Sequence, residues 1–195
     1  MKNNFLDNYL DNIKEELNKF DNYSNIILKI IDDIKKLRKT KKKVIIYGNG
    51  GSASTASHFS TDLTKNARIK CINFNESNLI TCFSNDYGFE NFVSQALKEF
   101  SSKGDIIILL SVSGESKNLL KAAEFCKKKK LNLITLTGKK TNNSLLKKNS
   151  KGKNIFIDSK SYNIVEICHH MILLTIVDCI IGKKEYGTKI GKIKF

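Results

Sequence analysis

Three hydroxyls fall within six residues at Ser111-Val112-Ser113-Gly114-Glu115-Ser116, after an apolar run and before a helical pattern. A turn in that setting brings the hydroxyls and the first free backbone N–H groups of the helix to one point, the chemistry of an anion site suited to phosphate. Ser116 alone could be a helix cap, but a cap takes one hydroxyl and this turn supplies three. A second turn, Gly48-Asn49-Gly50-Gly51-Ser52, lets backbone approach a polar ligand closely and offers Asn49 and Ser52 to sugar hydroxyls. A tight turn chosen for backbone reasons alone is the plainer alternative there. The turn has neither the G-x-G-x-x-G spacing of a dinucleotide site nor the G-K-[ST] ending of a P-loop, so no nucleotide cofactor is expected. His58 and Asp62 stand four apart on one helix face, a spacing that lets both reach one ion or one substrate.

Positioning these residues takes a repeated strand–turn–helix unit. Val44 to Tyr47 is a β-branched run that meets the glycine turn, and a small-residue helix follows from Ala53 to about Asn66. Asp105 to Leu110 reads as a strand, Ser111 to Glu115 as its turn and Ser116 to Lys129 as a helix. Further strands are expected at Ile69 to Phe74, Asn132 to Thr137 and Lys153 to Ile157, and a long apolar helix from about Tyr162 to Ile181. Strands alternating with helices imply a parallel sheet covered on both faces, with ligands at the carboxyl ends of its strands, where both turns fall. Ahead of this core, Phe5, Tyr9, Ile13, Leu17 and Phe20, then Ile26, Ile27, Ile30, Ile31 and Ile34, keep helical spacing and predict two amphipathic helices. The organisation is a single domain over 1–195: a helical pair at 1–40, an α/β core at 41–182 and a basic tail at 183–195.

At 195 residues and 41% hydrophobic, the chain suits one well-cored domain. Its formal charge of +15 raises the question of nucleic acid, yet the excess is nearly all lysine without interleaved aromatics, so no nucleic-acid partner is expected. Cys71, Cys82, Cys126, Cys168 and Cys179 make an odd count without a C-x-x-C pair and read as reduced core residues. No uninterrupted apolar run long enough for a bilayer and no signal-peptide core are apparent, which points to the cytoplasm and away from a membrane.

The ordered set Tyr47-Gly48-Asn49-Gly50-Gly51-Ser52-Ala53, His58-Phe59, Ser84-Asn85-Asp86-Tyr87-Gly88, the serine turn with Asn118-Leu119-Leu120, and Leu136-Thr137-Gly138 resembles the SIS (sugar isomerase) family, in detail its phosphoheptose isomerase branch. The likeness covers most of the chain. It implies an α/β three-layer sandwich with a five-stranded parallel, flavodoxin-like sheet and two extra N-terminal helices. It also implies a homotetramer with active sites at subunit interfaces. The activity implied is an aldose–ketose isomerase that interconverts sedoheptulose 7-phosphate and a heptose 7-phosphate through an enediol, toward surface polysaccharide. In that branch phosphate is held by the positions of Ser111, Ser113 and Ser116, and sugar by those of Asn49, Gly50, Gly51, Ser52 and Asp86. The resemblance further implies a zinc ion with His58, Asp62 and Glu166 as ligands, and Asp62 and His169 as acid/base groups.

Two departures stand out. Asp62 occupies a position where the family carries glutamate, one methylene longer. The alignment that yields Glu166 and His169 puts Leu174 where the last histidine belongs; a shifted register would keep that histidine as His170 but place Tyr162 at the upstream ligand position. These departures leave open a SIS protein that binds a phosphosugar without turnover, in the manner of its DnaA-binding members, and an isomerase of another sugar phosphate.

Overall fold

Val44–Gly48 (β1) and Ile106–Ser111 (β3) are near-continuous aliphatic runs, and every residue of both is buried. Strands of that composition must be covered on both faces, which parallel sheets achieve with crossover helices. The computed structural model describes residues 4–185, so the expected basic tail lies outside the described residues from 186 onward. Cys71–Asn73 (β2), Asn132–Gly138 (β4) and Lys153–Ile157 (β5) complete a five-stranded sheet, ordered β2-β1-β3-β4-β5 with every pairing parallel. That is the flavodoxin-like order expected, and its switch point lies between β1 and β3.

The period of two along β1 divides the core. Val44 and Ile46 face one layer with Ser24–Leu37 (α2), Gly51–Lys65 (α3) and Tyr162–Ile181 (α8). Ile45 and Tyr47 face the other, with Phe92–Phe100 (α5) and Lys117–Lys129 (α6). Asn4–Asn18 (α1) reaches α2 through a 3-10 turn at Phe20–Tyr23, where the Tyr23 hydroxyl donates to the Phe156 carbonyl at 2.8 Å. The two leading helices are therefore present and tied to β5.

Several expectations need correction. The strand expected at Ile69 to Phe74 shrinks to Cys71–Asn73 at the sheet edge. Ser77–Tyr87 (α4) was not anticipated: none of its residues is fully buried, and only Leu79, Ile80 and Phe83 pack, half-buried, against the core. Ser144–Lys148 (α7) is a five-residue helix whose N-cap side chain, Asn143, accepts from Leu146 N–H. Helix α8 is 20 residues long, long and apolar enough by length and composition to cross a membrane, contrary to the sequence reading. Its inward residues, among them Ile164, Val165, Ile172 and Val177, are core of this fold, which accounts for much of that apolar composition. Cys82 and Cys179 are exposed rather than core; all five cysteines are free.

Candidate active site

Both turns stand at the carboxyl ends of β1 and β3, side by side at the switch point. Ser111 closes β3, and its Oγ accepts from the Gly114 N–H at 3.0 Å while Ser113 Oγ accepts from the Glu115 N–H at 3.2 Å. Gly114 sits at φ +68°, a left-handed conformation that allows this tight return. Ser116 occupies the N-cap position of α6 but makes no capping hydrogen bond; its Oγ lies 3.4 Å from Ser111 Oγ. The capping alternative for Ser116 therefore falls. Accepting an N–H uses a lone pair and leaves the hydroxyl proton free, so Ser111 and Ser113 can still donate to an anion.

Asn49 is held differently from expectation. Its amide pairs reciprocally with that of Asn118, Nδ2 to Oδ1 at 3.1 Å and back at 2.9 Å, which ties the two turns together. Asn118 is buried, and its role was not anticipated although the sequence motif contains it. Ser52, also buried, joins the three serines, Asn49 and Glu166 in lining a cavity of about 130 Å³. Gly50 caps α3 with its carbonyl, which accepts from Ala53 N–H at 2.9 Å. Phe89 and Glu90, unforeseen, line a neighbouring cavity of about 530 Å³ with Asn49 and Ser116.

Gly51 opens α3, and a Cβ there would collide with the carboxylate of Glu166. The missing side chain lets that carboxylate lie over the first turn of α3, where the helix dipole favours it. Glu166 also lines a further cavity of about 350 Å³ with Thr55, Ile167 and His170. The serine-turn cavity and this one therefore meet at Glu166. His170 is one turn beyond Glu166 on α8, and it heads a chain of contacts: Thr55 Oγ1 to His170 Nδ1 at 3.4 Å, His170 Nε2 to His58 Nδ1 at 3.0 Å, and His58 Nε2 to Asp62 Oδ2 at 3.4 Å. A carboxylate only accepts, so the consistent proton placement runs Thr55 O–H to His170, His170 N–H to His58 and His58 N–H to Asp62. Burial, then the neighbouring His58, push the His170 pKa down, against a smaller opposing pull from Asp62.

Three anticipated roles are not supported. His169, expected as an acid/base group, is 1% exposed, and its Nε2 contacts the Thr137 carbonyl at 3.2 Å. Burial pushes its pKa down to about 4, which keeps it a neutral core residue. Asp86, expected at the sugar, is exposed on α4, where it accepts from Asn85 Nδ2 at 3.0 Å, and it lines none of the three cavities described above. The implied zinc set is not assembled: His58 engages His170 and Asp62 while Glu166 lies over Gly51, and among the described residues no group of three or more His, Cys, Asp or Glu is arranged to hold a metal.

Residues 8–138 match the SIS domain family. The chain belongs to the SIS domain family. On its phosphoheptose isomerase branch, this SIS chain is 35% identical over 146 residues to phosphoheptose isomerase 2 of Campylobacter jejuni, covering 71% of each chain. It is 37% identical over 147 residues to a phosphoheptose isomerase of Buchnera aphidicola, covering 70% of this chain and 75% of that one. A phosphoheptose isomerase structure from Francisella tularensis superimposes with a TM-score of 0.85 at 22% identity, over 94% of this chain and 100% of that chain. One from Neisseria gonorrhoeae does so at 0.85 and 18%, over 93% and 100%. At such identity these two structures speak for the SIS fold.

Proposed function

We propose that this chain is a phosphoheptose isomerase that interconverts sedoheptulose 7-phosphate and an aldoheptose 7-phosphate by proton transfer through an enediol. The observation that carries the reading is the shared wall of two cavities: the serine turn lines one, His170 the other, and Glu166 both. A phosphate seated on Ser111, Ser113 and Ser116 leaves the sugar chain to pass Glu166 toward Thr55 and His170. The names of the curated relatives supply the substrate.

Moving a proton between adjacent carbons needs a base over the C–H bond and an acid at the carbonyl oxygen. Glu166 and His170, four residues apart on one face of α8, are the groups offered to both tasks. Glu166 takes the proton from the carbon beside the carbonyl. The His170 Nε2 proton, donated to His58 in the free protein, passes to the carbonyl oxygen when the ring turns toward the substrate, and Asp62 holds His58 in the tautomer that accepted it. The positions of Leu174 and His170, one turn apart on α8, fit a histidine displaced toward the helix start. No step is routed through zinc, because the residues as placed do not assemble its ligand set.

The same reading takes the chain to be a cytoplasmic homotetramer with interfacial sites. Leu10 of α1 (44% exposed) and Ile167 and Met171 of α8 (41% and 39%), the latter two lining the His170 cavity, are the apolar surface a second copy would cover. The deciding experiment is proton NMR of sedoheptulose 7-phosphate with the purified chain in heavy water. The expected outcome is an aldoheptose 7-phosphate carrying deuterium, with turnover reduced at least ~100-fold in both Glu166→Gln and His170→Gln. Clear ligand line-broadening without any new sugar would overturn the isomerase.

A further inference from the structure

Lys139 follows β4 directly and holds φ +63°, one of three non-glycine residues in the left-handed region among those described. A lysine gains nothing intrinsic from that conformation, and such outliers persist where the surrounding structure imposes them. Here the Lys139 N–H donates to the Ser159 carbonyl at 3.1 Å, and the side chain lies over Tyr162, with Nζ 4.3 Å from the ring centroid. Among the described residues no carboxylate pairs with this ammonium. Tyr162, the first residue of α8, is 52% exposed yet lines the serine-turn cavity.

The charge balance of that cavity supplies the second observation. Its serine hydroxyls are neutral, its lining includes no lysine, arginine or histidine, and its one carboxylate is that of Glu166. A phosphate dianion placed there meets neutral donors and an anion. Helix N-termini offset part of this, but a mobile cation at the rim offsets far more.

The geometry points to Lys139 as a phosphate-recognising residue, parked on the Tyr162 ring at the rim of the serine-turn cavity and released onto the phosphate when a dianionic ligand enters. The assignment rests on the serine turn being the phosphate site. An exposed cation–π contact is weak enough to exchange for a charge-assisted hydrogen bond, and the ring keeps the ammonium within reach between ligands. Specificity for phosphorylated over free sugars then has a charged component that the serines alone lack.

The test is direct titration of inorganic phosphate into the full chain by calorimetry, at two salt concentrations, with wild type, Lys139→Gly, Lys139→Arg, Tyr162→Ala and Ser113→Tyr. Wild type is expected to bind and Ser113→Tyr not to. Lys139→Gly should weaken phosphate by about tenfold and flatten the salt dependence while raising the melting temperature, since glycine relieves the left-handed strain. Lys139→Arg should restore most of the affinity, and Tyr162→Ala should give a smaller loss. Equal phosphate affinity in wild type and Lys139→Gly, with Ser113→Tyr still inactive in binding, would overturn the role of Lys139 and leave the serine site standing. Absence of phosphate binding by wild type, or normal binding by Ser113→Tyr, would overturn the serine site and this assignment with it.

Discussion

The two ends of the β1–β3 pair use polar groups in opposite ways. At the amino ends, the Asp105 carboxylate is 0% exposed and accepts from the Lys43 ammonium at 2.7 Å, the Lys43 N–H at 3.1 Å and the Ser102 N–H at 2.9 Å. That carboxylate is occupied by the protein itself. At the carboxyl ends, Ser111 and Ser113 accept from turn N–H groups but keep their hydroxyl protons, and Ser116 sits at a cap position without capping. Burial of a polar group therefore does not separate structure from binding; what separates them is whether its donors and acceptors are filled. Asp105 holds the sheet together, whereas the serines hold capacity for a ligand.

The comparison can be broken at either end. Asp105→Ala should cost about 3 kcal/mol in urea unfolding, because it strips a buried network and leaves Lys43 without its partner. Phosphate affinity of the folded protein should stay unchanged. A stable Asp105→Ala with lost phosphate binding would reverse the assignment of the two ends.

His169, beneath the carboxyl end of β4, belongs with the structural class, and pH tests that. Its folded pKa, near 4, lies below the ordinary 6.5, so the unfolded chain takes up the proton first. Its contribution is complete above pH 6.5 and declines as pH falls toward 4, by about 3 kcal/mol across that window. Unfolding of wild type against His169→Asn as a function of pH should show that slope only in wild type; parallel curves would contradict it.

At the carboxyl ends the expected effects fall on binding. Ser113→Tyr should lose at least ~100-fold in phosphate affinity with little change in melting temperature, since the side chain fills the cavity without removing a core contact. Ser116→Ala is the finest test. A working cap would cost about 1 kcal/mol on removal, but here stability should move by less than about 0.5 kcal/mol while phosphate affinity drops about tenfold. A full loss of cap energy would place Ser116 with Asp105.

Much of the frame was legible in the sequence. The aliphatic runs of β1 and β3 have no other stable use than strands buried on both faces, and the glycine and serine turns after them stand at the carboxyl ends of those strands, as expected. Helix α4 was not legible because its core-facing stripe is short, Leu79, Ile80 and Phe83 among polar residues, and β2 was overextended because an edge strand needs few residues. Cys82 and Cys179 misled because neighbouring apolar residues do not determine which side of a helix faces water.

What the sequence determined by itself was therefore local: strand and helix periodicity, the three hydroxyls at a strand end and the i, i+4 pairing of His58 with Asp62. The tertiary structure decided which of two adjacent histidines does what. Along α8 a step of one residue rotates a side chain by about 100°, so His169 turns into the core against Thr137 while His170 turns onto α3 and meets His58. The same packing lays Glu166 across Gly51 and joins the two cavities. Contacts between residues more than 110 positions apart depend on how α3 and α8 lie on the sheet, and no local pattern encodes that rotation.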